Sequence, residues 1–173
     1  MAATPLTEDP KAVERLLTPM VRLLTSYLDG PGTLGAAAGF SEQNLESLYA
    51  LGHQLYQAGR YDEALKLFSF VTLHNHVEKR YLIATAATLQ LLERPSEALG
   101  FYGMASFMDP NDPVPTFHGC ECLIALGQTD EALEGLASAI ADCQPQRHDA
   151  LRQRALGLQA LLERKLKQEG STA

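Results

Sequence analysis

The side chains that could bind a metal ion or act as nucleophiles are few and widely spaced in this sequence. Among five scattered histidines, only His74 and His76 are neighbours, and a His-x-His pair alone is weak evidence for a metal site. The cysteines number three, and the Cys120-x-Cys122 spacing places two thiols on different sides of a helix. No glycine-rich phosphate loop and no Gly-x-Ser-x-Gly motif occurs. We therefore expect no metal, no cofactor and no enzymatic activity, with the cysteines buried and reduced.

The elements that must position any other site are indicated by a repeat. The tripeptide Glu-Ala-Leu begins at Glu63, Glu97 and Glu131, so that each alanine lies 34 residues after the previous one. This is the period of the tetratricopeptide repeat, which is a helix-turn-helix unit. Any amphipathic helical bundle has alanine and leucine at helical spacing, but three units in register favour a repeat array. Three units also suffice to bury a continuous core.

Other positions of the unit alternate in size as two packed helices require. With each alanine of the tripeptide at position 20, small residues stand at position 8, namely Gly52, Ala86 and Cys120. Bulky residues stand at position 24, namely Phe68, Tyr102 and Leu136. Small residues are expected where the helices cross closely, because overpacking there costs about 1–3 kcal/mol.

The predicted turns between the paired helices contain suitable residues. Gly59 and Gly127 stand at position 15, where a helix C-terminus favours a left-handed residue, and Pro95 lies near the start of the next helix in the second unit. The residues that suit the cap or first turn of each second helix are Asp62, Ser96 and Asp130.

The first helices of the units are expected to line a concave groove. Positions 2, 5, 9 and 12 lie on one helical face because they are spaced by three and four residues. They are Glu46, Tyr49, His53 and Tyr56 in the first unit, Arg80, Ile83, Ala87 and Gln90 in the second, and Val114, Phe117, Glu121 and Ile124 in the third. These residues predict an apolar groove with hydrogen-bonding tips.

The composition of this groove discriminates between ligands. A peptide's C-terminal carboxylate is held by convergent Lys, Arg and Asn side chains, and the groove positions include only Arg80 as a strong cationic donor. An extended peptide with spaced apolar side chains fits better. The alternative is that Tyr49 and Phe117 belong to the core and are covered by the chain's own termini.

An amphipathic segment precedes the repeats. Its apolar residues recur mostly at steps of three or four between residues 13 and 28, and Pro19 predicts a kink or two short helices. A glycine-rich stretch, residues 30–39, is expected to form a flexible linker. The segment therefore either packs against another chain or folds back as an N-terminal cap. Its candidate dimerisation residues are Val13, Leu16, Leu17, Met20, Val21 and Leu24.

These observations together predict an all-α fold in which three tandem repeats form a concave superhelical array between flanking helices. Residues 1–40 form the N-terminal segment and linker, and residues 41–146 contain repeats at about 45–78, 79–112 and 113–146. Residues 147–173 form a C-terminal capping helix and tail, whose basic residues alternate with leucines at helical spacing.

Composition narrows the partners and the compartment. A net charge of −7 disfavours nucleic acid and anionic membranes as partners. The N-terminus lacks the basic and apolar regions of a secretory signal, and the longest mostly apolar run, residues 81–92, is too short to span a bilayer. We therefore expect a cytoplasmic protein that does not insert stably into membranes.

Several motifs are more specific than the generic repeat. They are Leu48-Tyr49, Tyr56-x-x-Gly59-x-Tyr61-x-x-Ala64, Phe101-Tyr102 followed by Met108-Asp109, and Pro113 followed by Phe117-His118-x-x-Glu121-Cys122-Leu123. The last is the most specific, because a generic repeat does not require it. With these motifs, residues 48–140 resemble the class II chaperones of bacterial type III secretion, the low calcium response protein H family.

This resemblance implies a function. Family members hold the hydrophobic, pore-forming translocators before export, with proline and leucine anchors of an extended segment in the concave groove. Tyr49 and Tyr56 match groove aromatics of the family, and His53 stands where the family often has Phe. The N-terminal helix of the family commonly mediates a homodimer. Val114-Pro115-Thr116 departs from the family pattern, which bears on anchor specificity. The alternative function is that of a repeat adaptor in a regulatory complex.

Overall fold

The computed structural model describes Thr18 and residues 33–170. Every regular element within residues 33–170 is a helix, which confirms the all-α prediction. The amphipathic segment with its dimerisation candidates lies outside the described residues, apart from Thr18. The helices are α1 (Leu34–Ala37), α2 (Glu42–Gln57), α3 (Tyr61–His74), α4 (Lys79–Leu91), α5 (Pro95–Met108), α6 (Pro113–Ala125), α7 (Thr129–Asp142) and α8 (Asp149–Gly170).

The helices pack mainly against their neighbours in sequence. α2 packs on α3, α4 on α5 and α6 on α7, and the pairs are joined by contacts of α3 with α4 and of α5 with α6. α8 packs on α7 and, less extensively, on α6. Such nearest-neighbour packing is typical of a repeat array, and the three predicted repeats are confirmed. No helix in the described part of the chain is long and apolar enough to cross a membrane.

The core contains the positions that the repeat alignment predicts. The position-20 alanines, Ala64, Ala98 and Ala132, are completely inaccessible to solvent. The large side chains at position 24 are equally buried. At Gly52 a Cβ atom would lie 2.7 Å from the Phe68 ring, so a larger residue fits there only if the ring or a helix moves. The small residues therefore set how closely the paired helices approach.

The turn glycines adopt the left-handed conformation expected of them. Gly59 has a φ of +73° and Gly127 a φ of +77°. In the second unit Glu93 occupies the same position with a φ of +58°, although left-handed backbone is uncommon for residues other than glycine. The turn geometry is therefore common to all three units, and glycine is favoured there but not required.

The glutamate of each tripeptide has a partner that the sequence did not reveal. Glu97 Oε1 accepts a hydrogen bond of 2.6 Å from Arg94 Nε, and Arg94 is the N-cap residue of α5. Glu63 and Arg60 form the same pair at the start of α3. Gln128 Nε2 lies 3.5 Å from Glu131 at the start of α7. The repeated glutamate thus folds back onto the residue that begins its helix.

The expectation of a flexible linker is wrong for residues 33–39. Thr33 caps the short helix α1 by accepting a hydrogen bond of 3.2 Å from the Ala36 amide. Gly35 is buried against α3, where a Cβ atom would lie 2.8 Å from the His74 carbonyl oxygen. The following Phe40 ring lies 5.0 Å from the His74 ring. Glycine serves here for close approach to α3 and not for freedom of the chain.

The packing of position 20 leads to a stability prediction. Ala98→Leu inserts three carbon atoms where no space is accessible, so we expect the free energy of unfolding to fall by about 1–3 kcal/mol in urea titrations. Gly100→Ala on the same helix is the matched control, because a Cβ atom there meets open space. This control should gain about 0.5–1 kcal/mol from helix propensity. An unchanged stability of Ala98→Leu would contradict the packing register.

Candidate peptide-binding groove

An apolar pocket of about 240 Å³ lies between the first and second helix pairs. Six of its lining residues are predicted groove positions, namely Tyr49, His53, Tyr56, Arg80, Ile83 and Ala87. Phe68 and Ala84 also line it, and sequence reasoning did not include them. Phe68 belongs to α3, but its ring reaches the pocket because Gly52 of α2 has no side chain that would stand between the ring and the pocket. The glycine was the sequence signal that could have identified Phe68.

Aromatic rings form the wall of this pocket. The Tyr49 and His53 ring centroids are 4.5 Å apart and nearly perpendicular, and the His53 and Phe68 centroids are 5.3 Å apart at 71°. Tyr56 continues the wall at 6.5 Å from His53. Edge-to-face contacts of this kind hold aromatic side chains in defined orientations. The pocket is therefore a preformed apolar site with rigid walls.

The tyrosines stay protonated at neutral pH. Burial raises the pKa of the Tyr49 hydroxyl, an effect that the nearby Arg80 charge opposes without cancelling. Burial also raises the pKa of Tyr56. Both hydroxyls can therefore donate hydrogen bonds to a ligand at the edge of the pocket.

Arg80 is occupied by carboxylates of the protein itself. Its Nε donates to Glu78 Oε1 at 3.1 Å, and its Nη2 lies 3.3 Å from Glu46 Oε2. The hydrogen bond to Glu78 and the two acidic charges raise the pKa of Arg80. The guanidinium also lies 5.5 Å from the Tyr49 ring centroid, within cation–π distance. Arg80 thus forms one rim of the pocket, and Glu46 and Glu78 already balance its positive charge. This disfavours a carboxylate ligand.

The third unit differs from the prediction at Phe117. This residue is 0% exposed and belongs to the core around α6, α7 and α8, so the prediction that it lines the groove is wrong. The Arg154 guanidinium of α8 covers the ring at 4.9 Å from its centroid. Val114 and Ile124 are half-buried and lie outside the aromatic pocket. The alternative that the chain's own terminus covers Phe117 is the correct one, whereas Tyr49 does line the pocket.

Polar groups join the second unit to the third. Glu121 pairs with His118 Nδ1 at 2.8 Å and accepts hydrogen bonds from Arg154 Nη2 at 2.9 Å and Gln90 Nε2 at 3.4 Å. Gln90 Oε1 in turn accepts a 3.0 Å hydrogen bond from the Tyr102 hydroxyl. Burial alone would raise the pKa of Glu121, but the hydrogen bonds and the cationic partners lower it. Arg154 was missed because the repeat alignment ends before α8.

The histidine and cysteine side chains of the described residues lie in separate environments. No group of three or more metal-ligating residues comes together in residues 33–170. His74 Nδ1 lies 2.8 Å from the Phe70 carbonyl oxygen. Cys120 and Cys122 are buried free thiols, and burial raises the pKa of each to about 11. These thiols are protonated at neutral pH and are therefore poor nucleophiles.

The chain is similar to proteins of known family. Residues 33–105 match the family model described as anaphase-promoting complex, cyclosome, subunit 3. The low calcium response locus protein H of Yersinia pestis is 33% identical over 113 residues, which are 65% of this chain and 67% of that protein. The chain belongs to the class II translocator chaperones of type III secretion.

Solved structures of this chaperone family share the fold. PcrH of Pseudomonas aeruginosa, in complex with the chaperone binding region of PopD, has a TM-score of 0.70 and 39% identity over 73% of this chain and 96% of PcrH. SycD of Yersinia enterocolitica, in complex with a peptide of the translocator YopD, has a TM-score of 0.69 and 28% identity over 72% of this chain and 96% of SycD. The family resemblance inferred from the motifs is thus confirmed.

The Glu121 cluster makes stability depend on pH. Because the folded-state pKa of Glu121 is lowered from its usual 4.5, its contribution is present above about pH 4.5 and is lost as pH falls through the folded pKa. We expect Glu121→Gln to lower the free energy of unfolding by about 1–2 kcal/mol at pH 7. The difference from the wild type should shrink below pH 4.5 in urea titrations. The exposed Glu134→Gln is the control, and an equal effect of both changes would contradict a special role for Glu121.

Proposed function

We propose that this chaperone binds the hydrophobic translocator proteins of a type III secretion system and keeps them soluble before export. The observation that carries the proposal is the preformed aromatic pocket on the face of α2 and α4, in a family whose members PcrH and SycD were solved with translocator peptides. Covering an apolar cargo segment prevents premature association and insertion into the wrong membrane.

The pocket suggests how an extended segment is held. An apolar side chain of the cargo enters between Tyr49, Tyr56 and Ile83, where it loses contact with water. The backbone N–H and C=O groups of an extended peptide need hydrogen-bond partners, and the neutral tyrosine hydroxyls can provide them at the pocket edge. Glu46, Arg80 and Gln90 flank this site with polar groups. Val114, Glu121 and Ile124 would contact the cargo further along the groove.

The proposed function also covers where the chaperone acts and where its cargo is released. The protein acts in the bacterial cytoplasm without catalysing a reaction, as a binding chaperone does. The pocket offers no chemistry by which the chaperone could drive cargo release, so release occurs at the secretion machine. Homodimerisation through residues 13–24, which the family resemblance implies, remains a prediction.

The pocket itself can be tested with two kinds of variant. Tyr49→Ala with Tyr56→Ala removes two walls, and Ala87→Phe fills the pocket without removing any contact. We expect each to weaken the binding of a translocator peptide at least tenfold by fluorescence anisotropy. Circular dichroism should show unchanged helicity.

The control is Leu51→Ala, because Leu51 is an exposed apolar residue on the same helix that does not line the pocket. Peptide affinity should be unchanged in this variant. If the groove variants bind the peptide as the wild type does, the cargo site lies elsewhere. If co-expression yields no soluble complex with any neighbouring protein that has a long apolar segment, the chaperone function is wrong.

A further inference from the structure

A second pocket lies beside the aromatic pocket and differs from it in charge. It has a volume of about 370 Å³, and we call it the acidic pocket. Its walls come from the start of α2, from the connection between α3 and α4 and from the first turn of α4, and they include Glu42, Glu46, Asn75, Glu78, Arg80 and Tyr81. Arg80 also lines the aromatic pocket. The two pockets are therefore adjacent parts of one surface.

The charges around the acidic pocket do not cancel. At neutral pH three negative charges, on Glu42, Glu46 and Glu78, face one positive charge, on Arg80, which leaves an excess of two negative charges. Tyr81 adds no charge, because burial raises the pKa of its hydroxyl. An excess of negative charge around a concave site attracts cations. The pocket therefore favours a cationic ligand.

One acceptor at this pocket lacks a donor. The Oδ1 atom of Asn75 is buried and accepts no hydrogen bond within residues 33–170. A buried acceptor without a donor is unfavourable, and native structures leave few of them. Asn75 is the C-cap residue of α3 and is only partly buried as a whole, so its amide can turn toward a ligand. An N–H donor that enters the pocket would satisfy this oxygen.

The arrangement of the acceptors suits a basic side chain better than a metal ion. No three or more metal-ligating side chains come together anywhere in residues 33–170, so the three carboxylates are spread around the pocket and do not converge on one point. An ammonium group has three N–H donors and a guanidinium group has five, each at the end of a flexible stem. Such a group can bind carboxylates that lie apart from one another.

We propose that the acidic pocket binds a lysine or arginine side chain of the cargo, close to the apolar side chain that enters the aromatic pocket. This inference rests on the proposed function and adds a requirement to the sequence of the cargo. Seven residues of α2 lead from Glu46 to His53, which is about 10 Å along the helix. An extended peptide advances about 3.3 Å per residue. The basic residue is therefore expected within about three residues of the apolar anchor.

Paired peptides test the acidic pocket. The parent is the translocator peptide used for the aromatic-pocket variants, and its anchor is the residue whose change to alanine weakens binding most. Each position within three residues of the anchor receives either lysine or norleucine, which has the same stem without the charge. In fluorescence anisotropy we expect lysine to bind at least fivefold more tightly than norleucine at one or more positions. This advantage should disappear in about 0.5 M NaCl, because salt screens exposed charges.

The ratio of the two dissociation constants isolates the pocket, because a general change of the groove affects both peptides alike. In the variant Glu42→Gln, Glu46→Gln we expect the ratio of norleucine to lysine to fall to about one. The matched control is Glu134→Gln, Glu163→Gln, which removes the same charge from exposed positions on α7 and α8. This control should keep the wild-type ratio.

Three results would overturn the inference. The first is a lysine advantage that survives in the pocket variant. The second is an equal loss in the control, because the net negative charge of the protein would then attract lysine without a specific site. The third is no lysine advantage at any position although the norleucine peptides bind, and this result would leave the proposed function intact. If neither the parent nor any other peptide of the series binds the wild type, the proposed function fails and this inference fails with it.

Discussion

The close crossing of two helices at small residues is the constraint on which the rest of this structure depends. At Gly52 the α2 backbone approaches the Phe68 ring so closely that not even a methyl group fits. The completely buried alanines at position 20 fulfil the same requirement in every unit. Because the two helices of each unit pack this closely, their bulky side chains have defined positions. The first helices of the units then lie side by side and form one face.

The functional site is a product of that packing. Phe68 is a core residue of α3, yet it forms part of the aromatic wall because Gly52 leaves its ring uncovered. At the other end of the array Arg154 of α8 covers the Phe117 ring, so this ring is not open to a ligand. The open aromatic pocket is therefore confined to the first two units, which are also the units that position Arg80 between two carboxylates. Under the proposed function, cargo specificity is therefore concentrated at one end of the array.

The features that the sequence predicted correctly are those that recur in every repeat unit. The fold, the left-handed turns at Gly59 and Gly127, and six residues of the pocket followed from a single register. It was wrong where contacts join segments that no repeat relates. Phe117 has the same helical position as Tyr49, and only the presence of α8 makes it a core residue. In the sequence Gly35 resembles a linker residue, because its close contact with His74 produces no periodic pattern of residue types. Arg154 lies outside the repeats altogether.

Repeat proteins are often treated as modular, to be shortened or extended at the boundaries of their units. The Glu121 cluster limits that modularity here. Gln90 of the second unit, His118 of the third and Arg154 of α8 all bind one half-buried carboxylate. A cut before α8 would leave that carboxylate with fewer donors and would expose the Phe117 ring at once. The third unit and α8 are therefore inseparable, and the smallest portion of this array that keeps its C-terminal end intact includes both.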